Sequence, residues 1–510
     1  MKKLLLLVAL CFTVPVFGQT MPGMPPLQDS VVTESDTLLS EDLKSDPALR
    51  KWKSMLVDSV AHYYQDSIRT LRDSLARLET TGTPGASATS AVYDRFLEER
   101  YFRYLESLAD QKQEKVLFGL FSRSNPEMEA FRINELQQYL QMFPPTARQD
   151  KVLEMLGDVY SQARQPAMAL GAYLKQIMVF PATPTFSETQ SKIIKMLGEE
   201  SVFRNQKTTV ITYLNNGIMD QDYRDNYYRY LEFLHRIRIP DMSPWYFSQV
   251  EGFLREFPHY EQNDNLRLWQ AEMYETLNQF KKAAYAYQKL QVLHPESGYI
   301  PQTYYRLGVI YRDNTGENRK AADAFTSLAR DFPSDSLAIP AQIAAAKVYA
   351  DKMGQFPEAI EAYQRVVNNH PENPKAIDAM FDQAEIYLKK MNQPAKAIER
   401  YIAITEKYPD FKEQSGTAFR NAADIYADEI KDYATAVDMY MKFAQRYPNH
   451  QSVPSRLAKA ADIAEDELND YFTAIDLFEL AQKKYPESNA AKTAERKLPD
   501  LREKAQQPAE

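Results

Sequence analysis

Arginines alternate with aromatic rings in DYRDNYYRYLEFLHRIRIPDMSPWYF, residues 222–247, where Arg229, Arg236, Arg238 and Trp245 stand out. Guanidinium groups set among aromatic faces are the chemistry of single-strand nucleic-acid binding, or of docking another anion. A formal net charge of −9 argues against nucleic acid, because neutralising phosphates takes concentrated Lys and Arg. Two readings of the stretch stand: a docking patch for an anionic partner or glycan, or an irregular junction repacked by bulky side chains. No catalytic constellation emerges elsewhere. The glycines form no phosphate-cradling loop, no G-x-S-x-G elbow or H-E-x-x-H pair occurs, and carboxylate pairs fall at the spacings of solvated helix faces. His62, His235, His259 and His450 lack metal-ligand spacing. Catalytic, metal and cofactor residues are expected to be none, and the chain reads as a non-enzyme.

The elements that must carry any binding surface are set out along the chain. Lys2 and Lys3 precede LLLLVALCFTVPVF, and Val16-Phe17-Gly18 offers cleavage before Gln19, so residues 1–18 read as an export signal. The only cysteine, Cys11, lies inside it, which leaves no thiol for disulfides or metal in the mature chain. Residues 19–45, rich in Ser, Thr, Asp and Pro, read as a disordered tether. Across 46–79, Val57, Ala61, Tyr64, Ile68, Leu71, Leu75 and Leu78 alternate spacings of four and three. That seam serves either an amphipathic helix lying on the rest of the protein or a coiled coil that makes a homo-oligomer. Residues 80–91 are a linker of small and turn-forming residues, and no transmembrane segment is expected after signal cleavage.

From residue 92 to 500 the chain repeats itself. Ala-x3-aromatic-x7-Pro begins at Ala169, Ala283, Ala321, Ala359, Ala397, Ala436 and Ala474. About ten residues ahead of most of these stands a small residue followed by an aromatic, as in Gly157 and Tyr160 or Ala423 and Tyr426. Each unit is therefore two helices whose small residues allow close approach, with proline stopping the second. His294 and His370 stand where other units have an aromatic before the proline, and the recurrent tyrosines are packing positions with hydroxyls at the rim. About nine to ten units are expected, divergent around 182–258, with residues 501–510 a disordered tail.

Leu156, Gly157, Tyr160, Ala169, Tyr173 and Pro181 carry a resemblance to the tetratricopeptide repeat. It implies an all-α solenoid, a right-handed superhelix of helix pairs. Units from about Thr303 depart from the family period by extra residues in the turns between helices and between units. Taken with the export signal, heptad seam, linker and the YPES ending from Tyr485, the layout resembles periplasmic Tol–Pal-associated coiled-coil/repeat coordinators and outer-membrane assembly repeat proteins.

In this family the concave face is lined mainly by first helices, and that register places Glu272, Tyr305, Arg312, Phe381, Glu385, Arg420, Asp424, Asp428, Asp462 and Glu465 there. Carboxylates with scattered aromatics suit a partner segment bearing Lys or Arg, or are simply the solvated side of helices. The expectation is an exported scaffold binding other proteins in the periplasm or at the periplasmic face of the outer membrane. A component of a secretion or gliding apparatus is the alternative, and a periplasmic enzyme on a helical scaffold a third.

Overall fold

Proline lacks an amide hydrogen and bars its predecessor from helical geometry, so it ends a helix from the C-terminal side. In the computed structural model, Phe180, Phe257, His294, Phe332, His370, Tyr408, Tyr447 and Tyr485 all cap a second helix immediately before a proline. The structure describes residues 95, 98–108, 126–143, 148–216 and 222–506. The export signal, tether, linker and the seam from Val57 to Leu78 lie outside the described residues.

The chain divides into two compact units after Glu106. In the first, residues 98–106 are helical. The second is all helix and turn among the described residues. It begins with α1 (Pro126–Met142), followed by the pair α2 (Gln149–Gln162) and α3 (Pro166–Val179). Two divergent pairs follow, α4 (Phe186–Glu199) with α5 (Lys207–Asn215) and α6 (Tyr223–Ile237) with α7 (Ser243–Glu256). Regular pairs are α8 (Asn263–Thr276) with α9 (Phe280–Leu293), α10 (Ile300–Val309) with α11 (Asn318–Asp331), and α12 (Ala338–Lys347) with α13 (Phe356–Asn369). Then come α14 (Pro374–Glu385) with α15 (Pro394–Lys407), α16 (Lys412–Ile425) with α17 (Tyr433–Arg446), and α18 (Val453–Asp466) with α19 (Tyr471–Lys484). Nearly every helix packs on its sequence neighbours, while α6 lies chiefly on α3 and meets α5 through the Tyr213 and Phe233 rings, so no pair has to bury its apolar stripe alone.

The last helix, α20 (Asn489–Lys504), corrects the expected disordered tail: it passes residue 500 because Leu498 and Leu501 join the apolar cluster of Ala474, Leu477 and Phe478.

Within a unit, the small residue of the first helix receives the aromatic of the second. A Cβ at Gly157 would lie 2.3 Å from the Tyr173 ring, and one at Gly308 2.5 Å from Phe325. Between the two helices, one left-handed residue precedes the N-cap of the second: Arg164, Asn278, Gly316, Gly354, Asn392, Lys431 and Asn469. This is the usual way a helix end is turned.

The extra residues expected in turns from Thr303 onward sit largely inside the first helices. Residues 310–315, 348–352, 386–390 and 426–430 are π-helical continuations of α10, α12, α14 and α16. One conserved bond reveals the insertion. The Tyr274 carbonyl accepts the Gln279 amide at 2.8 Å, whereas Tyr349 reaches one residue further, to Gln355, at the same 2.8 Å.

Candidate protein-binding face

The first helices carry the ten residues expected on one face, and the structure gives most of them partners inside the array. Glu272 on α8 lies 3.0 Å from the Arg238 guanidinium and 3.2 Å from His235 Nε2, and accepts from Gln302 Nε2 of α10 at 3.3 Å. Burial alone would raise its carboxyl, but the hydrogen bond from His235 and the charges of Arg238 and Arg306 hold it below its ordinary value. Arg312 forms a two-pronged pair with its neighbour Asp313 at 2.7 Å, and its guanidinium lies 5.7 Å from the Phe325 ring. Tyr305 meets Phe325 edge-on at 5.5 Å, Phe381 packs on Tyr401 at 5.7 Å, and Glu385 is exposed beside Lys389 at 3.1 Å.

Toward the C-terminus the carboxylates are neutralised across unit boundaries. Asp424 of α16 holds Arg456 of α18 through two bonds of 2.8 Å, and Asp428 holds Lys459 at 2.8 Å. Asp462 of α18 holds Lys497 of α20 at 2.7 Å, while Glu465 receives Lys497 and Lys504, each at 2.9 Å. Arg420 donates to Asn421 and, at 3.1 Å, to the Ser452 hydroxyl. Four acids therefore face four cations, and the expected acidic groove is a ladder of inter-unit ion pairs. Its partner cations, Arg456, Lys459, Lys497 and Lys504, are structural partners that the sequence reading missed.

Similar ties recur upstream, where Lys192 of α4 meets Glu154 at 2.9 Å and Asp158 at 3.1 Å on α2, and Arg306 of α10 pairs with Glu275 on α8. Between α10 and α16 no ion pair joins consecutive first helices among the described residues. The tyrosine hydroxyls expected at the rim instead donate to these carboxylates: Tyr173 to Asp158 at 2.5 Å and Tyr440 to Asp424 at 2.6 Å.

The second candidate patch divides. Trp245 is 2% exposed, packed where a Cβ on Gly171 would lie 2.6 Å from its ring, and its indole donates to the Tyr230 hydroxyl, which donates to the Gly171 carbonyl at 2.8 Å. It belongs to the core and not to a docking patch, because α3 and α7 approach closely only where Gly171 leaves room for the indole. Arg238 is held by Glu272. Arg229 and Arg236 remain on α6 with their charges acting on the Tyr213 hydroxyl of α5.

The same junction buries a cation. Lys175 on α3 donates to Gln249 Oε1 at 2.7 Å and lies 4.1 Å from the centre of the Tyr227 ring. Burial pushes its ammonium down to about 7, with Glu256 only partly opposing. One lysine in the otherwise apolar PAMALGAYLKQIMV was its sequence signal. Among the described residues no three His, Cys, Asp or Glu side chains group to hold a metal, and no helix is long and apolar enough to cross a membrane.

A sequence model of the tetratricopeptide repeat matches residues 266–297, 302–335, 341–373, 378–410 and 417–450. No curated relative matches the chain. Solved structures that do match include YrrB, described as a repeat protein with an unusual peptide-binding site, at 20% identity and TM-score 0.26 over 40% of this chain and 96% of that one. A repeat protein from Parabacteroides merdae matches at 12% identity and TM-score 0.28 over 55% of this chain and 98% of that one. The C-terminal part of one from Cytophaga hutchinsonii matches at 14% identity and TM-score 0.31 over 52% and 98%. Nothing about function passes from these superpositions. The alanine–aromatic–proline units, the paired helices and the repeat matches make residues 266–450 of this chain a run of tetratricopeptide repeats.

Proposed function

We propose that the chain is an exported, non-enzymatic adaptor of the bacterial cell envelope, and that the first helices of its central units hold a segment of another protein. Tetratricopeptide repeats are protein-interaction scaffolds, and the N-terminal basic and apolar run supports export. The carrying observation is the break in the ion-pair ladder. From α10 to α14, no direct ion pair joins first helices of neighbouring units among the described residues, and Lys352 and Lys347 act on Asp313 and Asp382 only at longer range, while Tyr305 and Phe381 stay half-buried and Glu385 exposed. Half-buried rings on a rigid face serve as anchors for an extended or helical segment. Neutralisation of Asp424, Asp428, Asp462 and Glu465 removes the reason to place a basic segment at the C-terminal end.

Cell fractionation with N-terminal mapping, combined with a photocrosslinking residue at Phe381 and, separately, at Glu361 on α13, tests this. Expected are a chain beginning at Gln19 in the envelope fraction and a discrete crosslinked protein from position 381 only. An intact N-terminus in the cytoplasm would end the export reading. Equal products from both positions would end the anchor reading.

A further inference from the structure

The repeats supply an internal control for what the exposed side of a second helix ordinarily carries. Two places beyond the repeated alanine, α11, α13, α15, α17 and α19 have Asp323, Glu361, Glu399, Asp438 and Asp476. Nine places beyond it they have Arg330, Asn368, Glu406, Gln445 and Lys483, and all ten of these side chains are exposed. In the earlier α3 the same two places are Gly171 and Met178, both buried. Among the second helices of the regular pairs, α9 alone breaks the pattern. It puts Tyr285 and Val292 at those two places and Leu293 beside them, with exposures of 69%, 77% and 52%. Nothing in the packing of α9 asks for this, since its inward side is already filled by Ala283, Ala284, Ala286, Tyr287 and Leu290. A solvent-facing apolar stripe raised where sister helices keep charged or polar side chains is a surface made to be covered.

We propose that this side of α9 docks an amphipathic helix of another protein whose apolar stripe is flanked by carboxylates. Tyr285 and Val292 stand seven apart, so they form the narrow two-turn seam that meets a helix and not the broad face that lies in a lipid surface. Charge selects the occupant. Helix α9 contains Lys281, Lys282 and Lys289 and no acid. Lys289 lies 3.9 Å from Glu251 and Lys281 acts on Glu317 at longer range, so neither carboxylate is in close contact with these ammonium groups. A second copy of α9 would bring these lysines against their own kind with nothing on the helix to offset them, whereas glutamates on a partner would meet them. This surface is separate from the face of first helices, and its fate does not bear on that reading.

The test uses the full mature chain and a synthetic helical peptide with leucines at seven-residue spacing flanked by glutamates. The same peptide with lysines for glutamates is the control, and fluorescence anisotropy the readout. The Tyr285→Asp/Val292→Arg variant installs what α11 carries at the same places, so its folding, followed by thermal melting, should be unchanged. The acidic peptide is expected to bind, with the variant about tenfold weaker or more. Equal binding of acidic and basic peptides, or of variant and parent, overturns the proposal. So would self-association that the variant abolishes, or attachment to phosphatidylglycerol vesicles with no peptide binding.

Discussion

Asp424 accepts two hydrogen bonds from Arg456 across a unit boundary, one from Nε and one from Nη2, each 2.8 Å long. The hydroxyl of Tyr440 in the same unit donates a third, at 2.6 Å. A phenol of the second helix, a carboxylate of the first and a cation of the next unit's first helix thus form one chain. Tyr173, Asp158 and Lys192 repeat it, as do Tyr287, Glu275 and Arg306. Burial and the neighbouring carboxylate together push the Tyr440 and Tyr173 phenols far above their ordinary range, so these tyrosines stay protonated and donate to the carboxylates.

Because Asp424 and Arg456 are each mostly covered, breaking the pair should cost about 1.5–3 kcal/mol, the range for hydrogen bonds to charged groups. Asp424→Asn and Arg456→Gln should each lower the melting temperature and speed amide exchange in α16 through α18. The double variant should lose less than the sum of the two. Strict additivity would mean that the pair is only a surface contact.

The repeat spacing, the proline stops and the small–aromatic contacts were legible because each recurs at one place per unit and depends on the size or backbone chemistry of a single residue type. The ladder was not. Its partners lie 31 residues apart for Glu275 and Arg306, 32 for Asp424 and Arg456, and 35 for Asp462 and Lys497, so they meet only once the phases of two helices are known. An aromatic and arginine run reads the same whether its rings face in or out, which is why Trp245 looked like surface. An inserted residue can enter a turn or a helix equally well by sequence, and here it entered as π-helix.

Lys175 gives the array a pH dependence with a definite sign. Its folded value of about 7 lies below the ordinary 10.5, so between those values the unfolded chain holds a proton that the folded chain lacks. Stability should therefore rise with pH through that window, and below about 7 the full cost of an enclosed ammonium is felt. The groups facing it are Glu256 on α7, raised chiefly by burial, and Tyr227 on α6, with Tyr223 donating to Glu256. Lys175→Met should raise the melting temperature more at about pH 6 than at about pH 9, below the range in which tyrosines titrate. Glu256→Gln, measured in parallel, isolates the carboxyl. An unchanged slope in the methionine variant would refute the assignment.

Gly308 and Gly298 should respond differently to alanine. At Gly308 the new methyl would sit 2.5 Å from Phe325, and overpacking of a filled core costs about 1–3 kcal/mol. The helical preference for alanine returns about 1 kcal/mol at most, so Gly308→Ala should be destabilising on balance. Gly298 has nothing within 4 Å, and its alanine variant should melt with the parent. If both variants melt alike, the close approach of α10 and α11 is not what keeps glycine at 308.

The π-helical ends should tolerate losing the residue they accommodate. In the unit of α8 and α9 the Tyr274 carbonyl meets the Gln279 amide with one residue fewer between them than separates Tyr349 from Gln355. Deleting exposed Asp351 from the segment 348–352 would convert the second arrangement into the first and keep the left-handed Gly354 ahead of α13. Deleting Ala345, fully buried within α12, would instead rotate every preceding side chain by about 100° relative to those after it and expose the stripe that packs on α11 and α13. The first variant should keep full helicity with a small fall in melting temperature. The second should unfold the unit locally, seen as rapid amide exchange from α11 through α13. Equal damage from the two deletions would show that the π segments are needed for packing and do not merely absorb an insertion.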